Sequence, residues 1–103
     1  KANPKELAER IASFDKRLNQ LTENETVLTN AIQALLTKLK EQQAIYDKYR
    51  IKLFGEGAKL KKEALGKISN IKNELSLKQN ELDKIKNNLQ ATKNELATLR
   101  ELL

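Results

Sequence analysis

The chain has 103 residues, a third of them charged for a formal net charge of +6, and only two Tyr and two Phe within its 39% apolar content. That is lean for a globule enclosing its own core, and the dominance of Ala, Leu, Lys, Glu, Asn and Gln, with three glycines and one proline, favours long helices. The absence of cysteine and histidine removes thiolate nucleophiles, imidazole bases and the usual zinc ligand sets, so no enzymatic activity, metal or cofactor is expected.

The first element opens at "NPKE". Asn3 suits a cap, Pro4 the first helical turn, and Glu6 the third helical position of a capping box. From there apolar residues recur in alternating steps of four and three: Leu7, Ile11, Phe14, Leu18, Leu21, Leu28, Ile32, Leu35, Leu39, Tyr46, Tyr49 and Leu53, with Glu25 and Gln42 at the two remaining seam positions. A spacing of 3.5 held this long predicts a coiled-coil seam rather than the wider stripe of a globular helix. Thr22 and Glu25 stand at capping-box spacing and would allow a helix to restart there, but the heptad phase passes through them unbroken, which predicts one continuous arm.

Next comes "FGEG". Gly55 and Gly57 supply a residue free to take positive φ where one helix ends, and slack before the next begins. Beyond them the beat resumes at Ala64, Ile68, Ile71, Leu75, Leu82, Ile85, Leu89, Leu96, Leu99 and Leu103, with Lys78 and Thr92 as polar exceptions. A continuous rod dimerising in parallel would have to carry the glycines inside a helix. The arms on either side instead match, at roughly 75 and 65 Å by the helical rise, so folding back pairs seam with seam. The expectation is an all-α, two-helix antiparallel coiled-coil hairpin forming a single domain: arm one about 4–54, tip about 55–59, arm two about 60–103.

In the matching register Tyr49 lies near Leu65, Leu39 near Leu75, Ile32 near Leu82 and Leu18 near Leu96. Glu25 falls beside Leu89 and Thr92, either as a polar register lock or as a soft spot near water. A bare hairpin of this kind is expected to gain stability from laterally packed neighbours or from whatever anchors its open end. The chain starts without Met and breaks off within an apolar repeat at "ELL", so it reads as a segment of a larger protein. No signal-peptide pattern opens it, and no apolar run approaches the ~20 residues of a membrane span.

The charge is uneven. Between Lys38 and Lys67 nine basic residues face four acidic ones, which places five of the six net positive charges on the tip third. This reads either as a solvated face or as an electrostatic handle for nucleic acid or an acidic protein. Tyr46 and Tyr49 sit on the seam, leaving Phe54 as the aromatic free to stack on a base. "GEG" lacks the preceding strand and third glycine of a dinucleotide fingerprint, and no G-K-[ST] closes a phosphate loop. Carboxylates such as Glu81 and Asp83 stand on helix surfaces with nothing to desolvate them, so acid–base work is not supported.

Read from Leu53, the pattern L-x-x-x-G-x-x-x-x-x-E-x-L appears as Leu53, Gly57, Glu63 and Leu65, followed by the return arm "ISNIKNELSLKQNELDKIKNNL". Over about Ile45 to Leu103 this resembles the coiled-coil hairpin of the haemolysin D-type membrane-fusion proteins, the periplasmic adaptors of type I secretion and tripartite efflux systems. The resemblance implies a periplasmic hairpin inserted in a lipoyl-like domain of an inner-membrane-anchored protein. It implies a homo-oligomeric ring, an inner-membrane transporter as one partner, and a tip that meets an outer-membrane channel of the TolC type. The contact set it implies is Arg50, Leu53, Phe54, Gly57 and Leu60. The family tip carries an Arg, a Leu and, after the turn, a Ser; Arg50 and Leu53 stand near the first two places, and Lys59 or Leu60 stands where the Ser would be. Two further classes use similar hairpins: nucleic-acid-clamping arms of the seryl-tRNA synthetase type, and small secreted helical-hairpin proteins of the WXG type, whose Trp this chain lacks.

Overall fold

The computed structural model describes residues 3–103, and the described chain is a two-helix, all-α hairpin: α1 spans Pro4–Tyr49 and α2 spans Gly55–Glu101. The start of α1 is built as its sequence dictates. The Asn3 side-chain oxygen accepts the Lys5 amide at 2.9 Å, its carbonyl accepts the Leu7 amide at 2.9 Å, and Pro4 occupies the first helical position, where a missing N–H costs nothing.

α1 runs through Thr22–Thr26 without a restart. The Thr22 hydroxyl donates to the Leu18 carbonyl and the Thr26 hydroxyl to the Thr22 carbonyl, so both threonines satisfy themselves on the preceding turn instead of capping a new helix. Thr37 and Thr98 do the same on Gln33 and Asn94, which is how the chain accommodates hydroxyls inside helices without breaking them. α2 ends by tightening, with the Leu102 and Leu103 amides reaching the Leu99 and Arg100 carbonyls.

Packing divides the chain into two units. In one, the part of α1 up to Leu28 packs with Glu81–Leu103; Leu7, Leu28, Leu89, Leu96 and Leu99 are buried, and Ile11, Phe14, Leu18, Leu21, Leu82 and Ile85 half-buried. Arg100 reaches Asp15 at 2.9 Å and Arg10 reaches Glu95 at 3.9 Å across the two helices. In the other unit, Thr29–Asn80, the buried set is Ile32, Leu35, Ala64, Ile68 and Leu75, with Leu39, Tyr46, Tyr49 and Ile71 half-buried. The four-three beat therefore picks out the packed face of both helices, and its polar members follow it: Glu25, Gln42 and Lys78 are half-buried and Thr92 is buried.

Three expectations shift. The reversal occupies residues 50–54 rather than 55–59, because the chain turns as soon as the Lys52 amide closes on the Tyr49 carbonyl at 3.0 Å. Leu53, expected as the last seam residue of the first arm, lies in that turn and is exposed; Leu103, expected as the last of the second, follows the end of α2 and is exposed too. Tyr49, expected opposite Leu65, instead packs beside Gly57, since an earlier turn brings an earlier residue of α2 against it.

The Thr92 hydroxyl donates to the Asn88 carbonyl of its own helix at 2.7 Å. The hydroxyl proton is thus spent within α2 and is not donated across to α1.

Candidate functional site

The turn Arg50–Phe54 is the place where the chain departs from the economy of a simple hairpin. A reversal needs polar or small residues, yet this one carries Ile51, Leu53 and Phe54, which are 78%, 74% and 88% exposed. All belong to the Thr29–Asn80 unit.

The turn is held from beneath by residues of α2. The Lys61 ammonium donates to the Lys52 carbonyl at 2.8 Å and to the Arg50 carbonyl at 3.3 Å, satisfying two acceptors of the turn itself. Gly57 lies so close to the turn that a Cβ there would sit 2.9 Å from Lys52 Cγ, 3.1 Å from Lys52 Cβ and 3.3 Å from the Tyr49 ring. Gly55 takes a φ of +77°, the left-handed conformation open to glycine, but it does so on entry to α2, not at the end of α1. The Lys48 ammonium lies 5.4 Å from the centre of the Tyr49 ring, which places another positive charge at the base of the turn.

Of the residues singled out from the sequence, Arg50, Leu53 and Phe54 come together in the turn and are exposed, whereas Gly57 and Leu60 lie on α2 and are half-buried, Gly57 as the close-approach point under the turn. Two participants lie outside that contact set. Ile51 completes the apolar set, and its only mark in the sequence is its place between Arg50 and Leu53. Lys61 looked like one more surface charge; carrying the four-three beat backwards from Ala64 lands on Lys61 and then Gly57, so the seam itself pointed to both.

Electrostatically the turn is basic: from Arg50 to Lys62 five cations stand with one carboxylate, Glu56. Among the described residues, the ion pairs are Arg10–Glu95 and Arg100–Asp15, so no basic side chain near the turn has a carboxylate within 4.0 Å. No group of three or more acidic side chains is placed to hold a metal, and no helix is long and apolar enough to cross a membrane, again among the described residues.

A groove lies in the unit containing both ends of the described chain. It is open, about 460 Å³ in volume, and lined by Phe14, Leu21, Ala91 and Glu95, with Arg17 5.0 Å from the Phe14 ring centre. Its one buried polar residue, Thr92, is already satisfied by Asn88, so nothing in it is left aimed at a ligand. Compared with known proteins, the chain matches no family model, no curated protein and no solved structure.

Proposed function

We propose that this chain is a docking arm: two helices whose paired seams hold an apolar turn in a fixed shape for a protein partner. The observation that carries the reading is the joint exposure of Ile51, Leu53 and Phe54 on a turn clamped by Lys61 and Gly57. Single exposed apolar side chains are ordinary on protein surfaces, but three of them in one short turn form a patch that water disfavours and a partner rewards.

Within that reading, the resemblance between Leu53 and Leu65 and along the return arm favours the periplasmic hairpin of a haemolysin D-type adaptor, linking an inner-membrane transporter to an outer-membrane channel within a ring of copies. Lys59 or Leu60 stands where that family has Ser, so here docking would rest on the apolar residues of the turn together with Arg50. A nucleic-acid-clamping arm would draw on the same basic residues, but Lys61 is engaged by backbone carbonyls and Tyr46 and Tyr49 are half-buried, which leaves Phe54 alone to stack on bases.

The test is made in the full-length protein in its own cells. Leu53→Asp with Phe54→Asp is expected to abolish export by the assembled machine while the helical content of the purified protein is unchanged. Full export by that double variant would remove the turn from the mechanism. Salt-sensitive RNA binding that is lost in Lys59→Gln with Lys62→Gln would replace the adaptor reading with the clamping arm.

A further inference from the structure

We infer that the surface on which the turn docks is an apolar recess rimmed by carboxylates on a folded protein. The inference rests on the reading of the turn as a docking element and adds to it the chemistry of the partner.

Charge is the first ground. Arg50, Lys52, Lys59 and Lys62 are exposed on the turn and the first turns of α2, where Glu56 is the one carboxylate, and among the described residues none of the four has a carboxylate within 4.0 Å. Lys61 adds a fifth positive charge beside the turn, directed at carbonyl dipoles and, among the described residues, in no ion pair. A surface that left these cations unmatched would be repelled or would have to desolvate them at a loss, whereas carboxylates around the recess would steer and orient the approach.

The second ground separates a protein from an anionic bilayer, which would also supply apolar depth and negative charge. The Lys52 amide is bonded to Tyr49, but among the described residues the Leu53 and Phe54 amides donate to no backbone acceptor. Hydrocarbon offers no acceptor for a backbone amide carried into it, so inserting Leu53 and Phe54 would strand two donors. The carboxylates and carbonyls of a protein recess accept them.

Shape is the third. The turn is set before it meets anything, by two Lys61 hydrogen bonds, the Gly57 approach and the left-handed Gly55. Preorganisation lowers the entropy cost of fitting a shaped pocket, and a fluid lipid surface gains little from it.

The test places a photo-crosslinking analogue at the apex, Phe54→p-benzoylphenylalanine, in the full-length protein in its own cells, and maps the crosslinked peptide by mass spectrometry. The expected result is one dominant protein adduct whose peptide interleaves apolar residues with Asp or Glu. Its yield should fall roughly tenfold or more in Lys59→Glu with Lys62→Glu and be retained in Lys59→Arg with Lys62→Arg. The purified variants should keep their helical content and melting temperature, since both lysines are exposed. A crosslinked peptide without carboxylates, or a yield indifferent to charge reversal, would overturn the inference. So would lipid adducts accompanied by co-sedimentation with phosphatidylglycerol vesicles, and so would no adduct from the folded protein. An acidic, apolar peptide from a protein other than an outer-membrane channel would uphold the recess and overturn the adaptor reading, so the two fail separately.

Discussion

Lys61, on the first turns of α2, holds the Lys52 carbonyl 2.8 Å from its ammonium, and so ties the turn that follows α1 to the helix that leaves it. The same ammonium reaches the Arg50 carbonyl at 3.3 Å. A lysine near a helix C-terminus is favourable both as donor and as charge, since the terminal carbonyls carry the negative end of the helix dipole. Here both acceptors lie in the turn just past the last residue of α1, so the ammonium sits near that end while bonding the loop.

That relationship separates Lys61 from its neighbours. Lys61→Gln should destabilise the chain by about 1 kcal/mol, the usual net worth of a hydrogen-bonding group, whereas Lys59→Gln and Lys62→Gln, both exposed, should each stay within ~0.5 kcal/mol. Urea melts followed by circular dichroism report the difference. Three equal midpoint shifts would mean that the two hydrogen bonds contribute nothing beyond a lysine's surface charge.

The three glycines should respond to alanine in different directions. At Gly66 a Cβ meets nothing within 4 Å, so Gly66→Ala in the interior of α2 should stabilise by roughly 0.5–1 kcal/mol through helix propensity alone. At Gly57 the new methyl would press on Lys52 Cγ and Cβ, atoms near the backbone that cannot swing aside like a chain end, and the loss should be about 1–3 kcal/mol. Gly55→Ala has open space but a φ of +77°, and the left-handed penalty predicts a loss of about 1–2 kcal/mol. Thermal melts of the three variants should rank Gly66→Ala above the parent and the other two below it.

Leu35 and Leu77 offer a matched pair, the same side chain at 7% and 65% exposure within one unit. Leu35→Ala should cost roughly 2–5 kcal/mol by emptying packed space, and Leu77→Ala less than ~0.5 kcal/mol. Comparable losses at both sites would remove the seam as the source of stability.

The seam was legible because a period of 3.5 survives any uncertainty about where helices end: every residue on the beat from Leu7 to Tyr49 and from Ala64 to Leu99 is buried or half-buried. The turn was not legible in the same way. Its closure, the Lys52 amide on the Tyr49 carbonyl, involves no positive φ and so leaves no glycine at the end of α1 to announce it. The two glycines of "FGEG" mark the reversal one step downstream in the sequence, although one opens α2 and the other makes room for the turn. Exposure of the apolar set followed from that displacement: a seam that ends at Tyr49 leaves Leu53 with nothing to cover it.

Thr92 tests whether a polar residue in the seam specifies pairing or is merely tolerated. It is buried, stands on the beat between Leu89 and Leu96, and sends its hydroxyl to the Asn88 carbonyl, which the helix already uses as an acceptor. Bonds of this kind back to the preceding turn slightly weaken a helix, and removing the donor leaves no group unsatisfied, because Asn88 keeps its backbone partner. Thr92→Val retains the branched shape and replaces a hydroxyl with a methyl in a site shielded from water. The expected result is a stability gain of roughly 0.5–1 kcal/mol, of the order of one additional buried methyl group, read as a higher urea midpoint at unchanged slope. Thr92 lines a groove with Arg17 and Leu21 of α1, which makes the opposite outcome informative. A loss of 1 kcal/mol or more, abolished when Arg17→Ala is already present, would show the hydroxyl working across the helices and make Thr92 a determinant of register, as a polar seam residue is in other coiled coils.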